Sequence, residues 1–282
     1  MLCRHSREGS YATQTNRERM LTLIANELHE LGYRKMSERS LKPKHIEALV
    51  KRWFDQRLSI GTIKNRMAVI RWWAHKVDKQ NVVARSNEHY GIPDRRFIAD
   101  GSKAKSITQS QLAKVVDTHV RMSLELQQAF GLRREEAIKF QPSFADRGEQ
   151  IVLKASWTKG GKDRSIPIRT EAQRDVLDRA RNLAGLGSLI PSNRNYVQQM
   201  RIYERDTLRA GLSNMHGLRH AYAQHRYEEM TGWKCPAAGG PVKGSLTLEQ
   251  RAVDRETRLT ISRELGHERE QITAAYCGSR HC

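Results

Sequence analysis

The sequence has no apolar run that approaches the roughly 20 residues a membrane-spanning helix needs. Its first residues, Met1 to Gln14, lack the apolar segment of a secretory signal peptide. Disulfide-framework spacing and CxxC pairs are absent as well. The four cysteines are Cys3, Cys235, Cys277 and Cys282. These absences argue against a membrane protein, a secreted disulfide scaffold and a zinc site, and they favour reduced thiols in a cytoplasm.

Nucleotide-binding patterns are also missing. Gly101-Ser102-Lys103 comes nearest to a P-loop, but it lacks the upstream glycine and the preceding strand. No repeat with a period of roughly 20–50 residues is visible. We therefore expect no metal ion and no cofactor.

What the sequence does have is positive charge. Lys and Arg number 50 against 31 Asp and Glu, which gives a net charge of +19. Residues 1–100 contain 20 Lys and Arg against 11 Asp and Glu, and the remaining residues contain 30 against 20, so both parts are basic. A chain of 282 residues is long enough for two domains. Two basic domains suit a clamp around a polyanion, with nucleic acid the first expectation.

Apolar residues recur at helical spacing three times in residues 1–93. One stripe runs from Met20 to Leu31, one follows Pro43, and one runs from Ile63 to Val77. The pattern predicts a small helical bundle. We assign four basic residues of the third helix to the face opposite its stripe, as phosphate contacts or as an ordinary solvated face. They are Lys64, Arg66, Arg71 and Lys76.

Residues 94–106 are polar and basic and predict an extended linker able to lie along a duplex. Its candidate DNA contacts are Arg95, Arg96, Lys103 and Lys105. In the second domain, residues 107–282, Thr108 and Gln111 form a capping box. Strands at about 150–156 and 165–168 predict a hairpin, with helices at about 170–183 and 194–209. The fold class is therefore mainly α with a small β-sheet (α+β).

Several polar groups then follow one another at informative spacing. Each is weak alone, since charge runs and single histidines are usually structural. The groups are Arg133-x-x-Glu136, Lys159 on the hairpin turn, His216-x-x-Arg219, Leu265-Gly266-His267, and Tyr276. In order and spacing they resemble the tyrosine recombinase (phage integrase) family over residues 107–276, and the N-terminal bundle is similar to that family's core-DNA-binding domain. Gly131-Leu132 before Arg133, His-x-Leu-Arg-His at 216–220 and the nine residues from His267 to Tyr276 carry the resemblance.

The resemblance implies strand cleavage through a 3′-phosphotyrosine on Tyr276. Arg133 and Arg219 would meet the charge on the phosphate, because forked guanidinium donors match its oxygens. His216 would accept the tyrosine proton, Lys159 would protonate the departing 5′ oxygen, and His267 would donate a hydrogen bond to the phosphate. Lys162, in the same turn, is the alternative to Lys159. Glu136 would hold the arginine in place.

The resemblance also implies site-specific recombination of double-stranded DNA, in the integration or excision of a mobile element. We expect a C-shaped clamp and a homo-oligomer on DNA, with a tetramer in the synapse and a monomer as the alternative in solution. We also expect a bacterial, cytoplasmic, nucleoid-associated protein. The alternatives are a type IB topoisomerase-like nicking-closing enzyme and a non-catalytic DNA-binding protein. Residues 231–247 predict an inserted loop, either a DNA- or protomer-facing arm or a neutral insertion. Many members of that family place a further helix after the tyrosine that docks on a neighbouring protomer; only Cys277 to Cys282 follow it here, which leaves the mode of assembly open.

Overall fold

A computed structural model describes residues 8–94, 101–158, 160–267 and 269–279. The chain divides into two compact units, residues 1–96 and 97–282. The predicted fold class is confirmed, because both units consist mainly of helices and the described residues contain one two-stranded sheet. No helix within the described ranges is both long and apolar enough to cross a membrane.

In the described part of the N-terminal unit, three α-helices form a bundle. They are α1 (Tyr11–Glu30), α2 (Pro43–Asp55) and α3 (Ile60–Lys76). The hydroxyls of Ser10 and Ser59 accept backbone N–H bonds at the starts of α1 and α3, and Pro43 opens α2. The apolar stripes of the three helices meet in one core around Trp53.

A buried ion pair lies in this core. The carboxylate of Glu27 accepts hydrogen bonds from Trp53 Nε1 and from Arg66 Nη1, each at 2.8 Å. Arg66 is only 8% exposed, so its assignment to a solvent-facing basic surface was wrong. It follows Ile63 by three residues and precedes Ile70 by four, which places it beside the apolar stripe. Glu27 supplies the opposite charge that makes its burial tolerable.

The C-terminal unit contains the remaining helices and the sheet. In chain order they are α4 (Gln109–Leu112), α5 (Thr118–Phe130), α6 (Arg134–Ile138), α7 (Pro142–Ala145), β1 (Gln150–Leu153), β2 (Arg164–Pro167), α8 (Glu171–Ala184), α9 (Tyr196–Arg209), α10 (Gly217–Thr231), α11 (Leu248–Glu264) and α12 (Ala274–Cys277). Thr108 and Gln111 form the predicted capping box at the start of α4.

The two strands are antiparallel, and their register aims one arginine inward. Leu153 pairs with Arg164, and Ile151 pairs with Ile166. Because side chains alternate along a strand, these four residues share the buried face, while Ser165 is exposed. The first strand ends at Leu153, short of the predicted 156, because residues 155–157 form a 3-10 turn.

The predicted insertion contains two 3-10 turns, Pro236–Ala238 and Lys243–Ser245. Cys235, just before the first turn, is fully buried in the same core as Cys277. A Cβ atom on Gly278 would lie 2.6 Å from the backbone nitrogen of Ala237. The first part of the insertion therefore packs against the backbone that follows Tyr276, a structural role that neither predicted alternative included.

Candidate active site

The site begins where α5 ends. Gly131 caps that helix with φ 62°, and a Cβ atom there would lie 2.6 Å from the Tyr222 ring. Only glycine fits this position. The chain then reaches Arg133, whose backbone N–H and Nη1 donate to the two carboxylate oxygens of Glu136 at 2.7 and 2.8 Å. Glu136 thus fixes both the main chain and the side chain of Arg133, as the sequence predicted.

Arg219, in the first turn of α10, is fully buried. Its Nη1 donates to the Gly131 carbonyl at 2.6 Å, and its Nη2 donates to the Leu265 carbonyl. Its Nε donates to the Tyr276 hydroxyl at 3.2 Å. One guanidinium therefore connects the end of α5, the end of α11 and the candidate nucleophile.

The Leu265 carbonyl is a shared acceptor for arginines. It lies at the C-terminal end of α11, where helix carbonyls lack intrahelical partners and the helix dipole is negative. Besides Arg219, it accepts from Arg133 Nη2 at 3.3 Å and from Arg164 Nη1 at 3.0 Å. Three cations that would otherwise repel one another are thus gathered within reach of one oxygen.

Among the described residues, one buried carboxylate, that of Glu136, faces these arginines. Burial would raise the pKa of Glu136, but the charges of Arg164, Arg219 and Arg133 outweigh that effect and lower it. Glu136 is therefore ionised at neutral pH. The described side chains thus contribute one negative charge against three positive ones, a cationic composition suited to a phosphate.

Both predicted histidines are held neutral. His267 Nε2 lies 3.1 Å from Arg133 Nη2, and it must be the acceptor because a guanidinium only donates. Burial, together with Arg133, Arg219 and Arg164, lowers the pKa of His267 to about 4. Burial, Arg219 and Arg133 also lower the pKa of His216, whose ring centroid is 6.0 Å from that of Tyr276. A neutral imidazole beside the tyrosine can accept a proton.

Tyr276 lies on the short helix α12 and is 7% exposed. Gln224 Nε2 donates to its carbonyl at 2.9 Å. Two residues further on, Arg258 Nη1 donates to the Gly278 carbonyl at 2.9 Å. Gln224 and Arg258 belong to α10 and α11, so the tyrosine segment is held by its own chain.

The predicted lysine, Lys159, lies outside the described residues, and its assignment stays a prediction. Across the same turn, Thr158 Oγ1 donates to the main-chain carbonyl of Lys162 at 2.6 Å. This bond joins the two sides of the turn that the sequence placed between the strands.

Two residues of the pocket were missed by the sequence reading. The ring centroid of His220 lies 4.8 Å from that of Tyr276, and His220 Nδ1 has no hydrogen-bond partner among the described residues. Its spacing of four from His216 was the available signal. Arg164 donates to Glu136 Oε2 at 2.6 Å as well as to Leu265. Its signal was a charge at the inward position that alternates with Ile166.

Two family profiles match the sequence. One, described as "Phage integrase, N-terminal", matches residues 1–83, and the other, described as "Integrase", matches residues 95–225. The chain belongs to the phage integrase family. The predicted family is thus confirmed, and with it the class of activity, site-specific DNA recombination by a tyrosine-type recombinase. The second match ends before His267 and Tyr276, whose assignment therefore depends on the geometry.

Solved structures of integrases share the fold. Lambda integrase (75-356), as a dimer bound to a COC′ core site, is 15% identical, with a TM-score of 0.61, and the alignment covers 98% of this chain and 91% of that one. Lambda integrase also matches as a tetramer bound to a Holliday junction. The Tn1549 transposon integrase in complex with circular intermediate DNA is 15% identical, with a TM-score of 0.58, and the alignment covers 98% of this chain and 94% of that one. The XerH site-specific recombinase bound to difH is 16% identical, with a TM-score of 0.56, and the alignment covers 97% of this chain and 78% of that one. No curated protein matched.

The four candidate DNA contacts of this integrase in the N-terminal unit all have partners within that unit, Arg66 through its pair with Glu27. Lys64 pairs with Asp94 at 2.8 Å, and Lys76 pairs with Glu8 at 2.5 Å. Arg71 donates to the Asn87 side chain at 2.8 Å. The two lysine pairs are solvent-accessible, so a phosphate could replace the carboxylate at little cost.

The predicted linker is partly docked. Arg95 and Arg96 lie outside the described residues. The backbone N–H of Lys105 donates to the Gly217 carbonyl at 3.0 Å, and Lys105 Nζ donates to the Ser213 carbonyl at 2.8 Å. Lys103 is exposed. Residues near Lys105 are thus fixed at the start of α10.

Proposed function

We propose that this integrase recombines DNA at specific sites by cutting and rejoining strands through Tyr276, in the integration or excision of a mobile element. The observation that carries the proposal is the hydrogen bond from Arg219 Nε to the Tyr276 hydroxyl at 3.2 Å. It places a phenolic oxygen at the edge of a buried cationic pocket. A guanidinium donor there suits the negative charge that grows on the oxygen as its proton leaves.

The reaction conserves the phosphodiester bond. Tyr276 Oη forms a bond to the scissile phosphorus while the bond to the 5′ oxygen breaks, which leaves a 3′-phosphotyrosine and a free 5′ hydroxyl. A 5′ hydroxyl from the partner strand then attacks the same phosphorus and releases the tyrosine. Arg133 and Arg219 neutralise the charge that gathers on the non-bridging oxygens in both steps.

Two protons move in the cleavage step. Neutral His216 accepts the proton of Tyr276, for which its lowered pKa keeps it ready at neutral pH. Lys159 protonates the departing 5′ oxygen, with Lys162 as the alternative in the same turn. His267 donates a hydrogen bond to the phosphate; its Nε2 accepts from Arg133 here, so Nδ1 carries the proton.

Double-stranded DNA is the proposed partner, bound as a homo-oligomer that becomes a tetramer in the synapse. The net charge of +19 and the basic character of both domains support this. Lys64, Arg71, Lys76, Lys103 and Lys105 are proposed as phosphate contacts, together with Arg95 and Arg96, and Arg66 is removed from the set. We place the protein at the nucleoid of a bacterial cytoplasm.

The test uses purified protein and nicked suicide duplexes made from repeat sequences that flank the gene. Native protein should form a covalent adduct with DNA, and the Tyr276→Phe variant should form none. An adduct with the variant would remove Tyr276 from the mechanism, and no adduct with native protein on any such duplex would contradict the catalytic proposal. Joining of two sites on one plasmid is expected. Supercoil relaxation without joining would indicate a topoisomerase-like activity instead.

A further inference from the structure

The inward arginine of the hairpin, Arg164, has no place in the mechanism above. It is the first residue of β2, and its side chain is 5% exposed. Burying a guanidinium is costly unless its donors are satisfied. Ion pairs on the surface of this unit would stabilise it without that cost, so the buried position calls for an explanation beyond stability.

Arg164 contacts the two groups that hold the proposed catalytic arginines. Its Nη2 donates at 2.6 Å to Glu136 Oε2, the oxygen that also accepts the backbone N–H of Arg133. Its Nη1 donates at 3.0 Å to the Leu265 carbonyl, which Arg133 and Arg219 share. One planar fork thus joins the carboxylate to the shared carbonyl.

The backbone at Gly266 is shaped around this side chain. A Cβ atom on Gly266 would lie 2.8 Å from Arg164 Nη1 and 3.0 Å from its Cδ. With φ 71°, Gly266 is also in the left-handed region that favours glycine. Arg164 therefore packs directly under the step that precedes His267, which accounts for a glycine between Leu265 and His267.

The charge of Arg164 persists in this setting. Burial lowers its pKa, Glu136 raises it, and Arg219 and Arg133 lower it again, to about 10. The group is still a cation at neutral pH. It therefore adds to the positive potential of the pocket, although Glu136 and Leu265 occupy its two Nη nitrogens.

We propose that Arg164 is a positioning residue for strand transfer. It holds Glu136 and the Leu265 carbonyl in place, and these two groups orient Arg133 and Arg219 toward the scissile phosphate. The proposal rests on the proposed function. Since β2 directly follows the turn that carries Lys159, Arg164 also ties the hairpin to the arginine pocket. The alternative is an ion pair that serves only stability.

The test measures the single-turnover rate of adduct formation for native protein, Arg164→Met and Arg164→Lys on a suicide duplex. Misplacement of catalytic groups by about 1 Å can cost roughly 100-fold. We expect a loss of that order for the Met variant and a smaller loss for the Lys variant, which keeps the charge but not the fork. Rates are taken below the melting temperature of each protein, with DNA affinity measured alongside. Arg174→Met is the matched control, because Arg174 forms an ion pair with Asp146 at 2.7 Å in the same unit. This variant should be less stable than native protein but should form the adduct at the native rate.

A second substrate separates positioning from stability. Replacing one non-bridging oxygen of the scissile phosphate by methyl removes its negative charge, so accurate aim of the arginines matters less. The ratio of native to variant rates should then shrink severalfold. An equal ratio on both substrates, or a native rate for Arg164→Met, would overturn the proposal. If the Met variant does not fold, the same comparison is made with the Lys variant. Absence of an adduct with native protein would instead contradict the proposed function.

Discussion

Replacing Glu136 by glutamine removes one negative charge from the buried arginine pocket while preserving its shape. The carboxylate accepts from Arg133 N–H, Arg133 Nη1 and Arg164 Nη2 at 2.6–2.8 Å. A glutamine keeps one acceptor oxygen, but its NH₂ group would face N–H donors of the arginines, which cannot accept a hydrogen bond from it. Loss of a charge-assisted bond costs about 1.5–3 kcal/mol, and an unpaired buried charge costs about 3–5 kcal/mol. We expect the free energy of unfolding to fall by about 3 kcal/mol at pH 7.

The same variant gives a pH signature. The pKa of Glu136 is lowered from 4.5 in the folded protein, so its stabilising effect is complete above that value and is lost as pH falls through the lower folded pKa. Glutamine takes up no proton there. The difference in unfolding free energy between native and Glu136→Gln proteins should therefore narrow as pH is lowered from 5 toward the folded pKa.

Urea denaturation at several pH values measures this difference, and hydrogen exchange of amides in α5 and α10 assigns it to the C-terminal unit. Glu135→Gln is the matched control, because the carboxylate of Glu135, next to Glu136 in sequence, is half exposed and pairs with Lys139 on the surface. The control should lose less than about 1 kcal/mol. A Glu136→Gln protein within about 0.5 kcal/mol of native at pH 7, or a difference that does not change with pH, would refute the reasoning.

Three further outcomes are expected. Gly131→Ala should lose about 2–5 kcal/mol of stability in thermal or urea unfolding, because φ 62° and the Tyr222 ring 2.6 Å away both exclude a Cβ atom; a variant as stable as native protein would contradict this. A mixture of Tyr276→Phe and Arg219→Gln proteins should form no more adduct than either alone, because Arg219 contacts the tyrosine of its own chain; restored adduct would indicate cleavage in trans. Lys103→Ala should reduce the slope of log affinity against log salt by about one, whereas an unchanged slope would remove Lys103 from the phosphate contacts.

Local signals in the sequence carried much of the fold. Thr108 and Gln111 form the predicted capping box through short-range bonds that their spacing of three reveals. The Arg133–Glu136 pair lies within one turn, so its spacing was sufficient as well. Where the informative contacts are three or four residues apart, the sequence predicts them.

Long-range partners were the part that could not be predicted. Arg66 appeared to belong to a basic surface because its counter-charge, Glu27, lies on another helix. The importance of Arg164 depends on a carbonyl about 100 residues away, at the end of α11. Glycine and proline residues predict the insertion, but they do not reveal that Cys235 is buried beside the tyrosine segment. In each case the contact is tertiary, and periodicity contains no information about it.

The use of a main-chain oxygen as the common acceptor for three arginines has a consequence for mutational tolerance. No substitution of the Leu265 side chain can delete that oxygen, so changes in side-chain chemistry at this position leave the acceptor in place. The vulnerability moves instead to Gly266, whose left-handed backbone sets the direction of the carbonyl. A mutational scan should therefore find strong intolerance at Gly266, which has no side chain, next to Leu265, which accepts several apolar replacements.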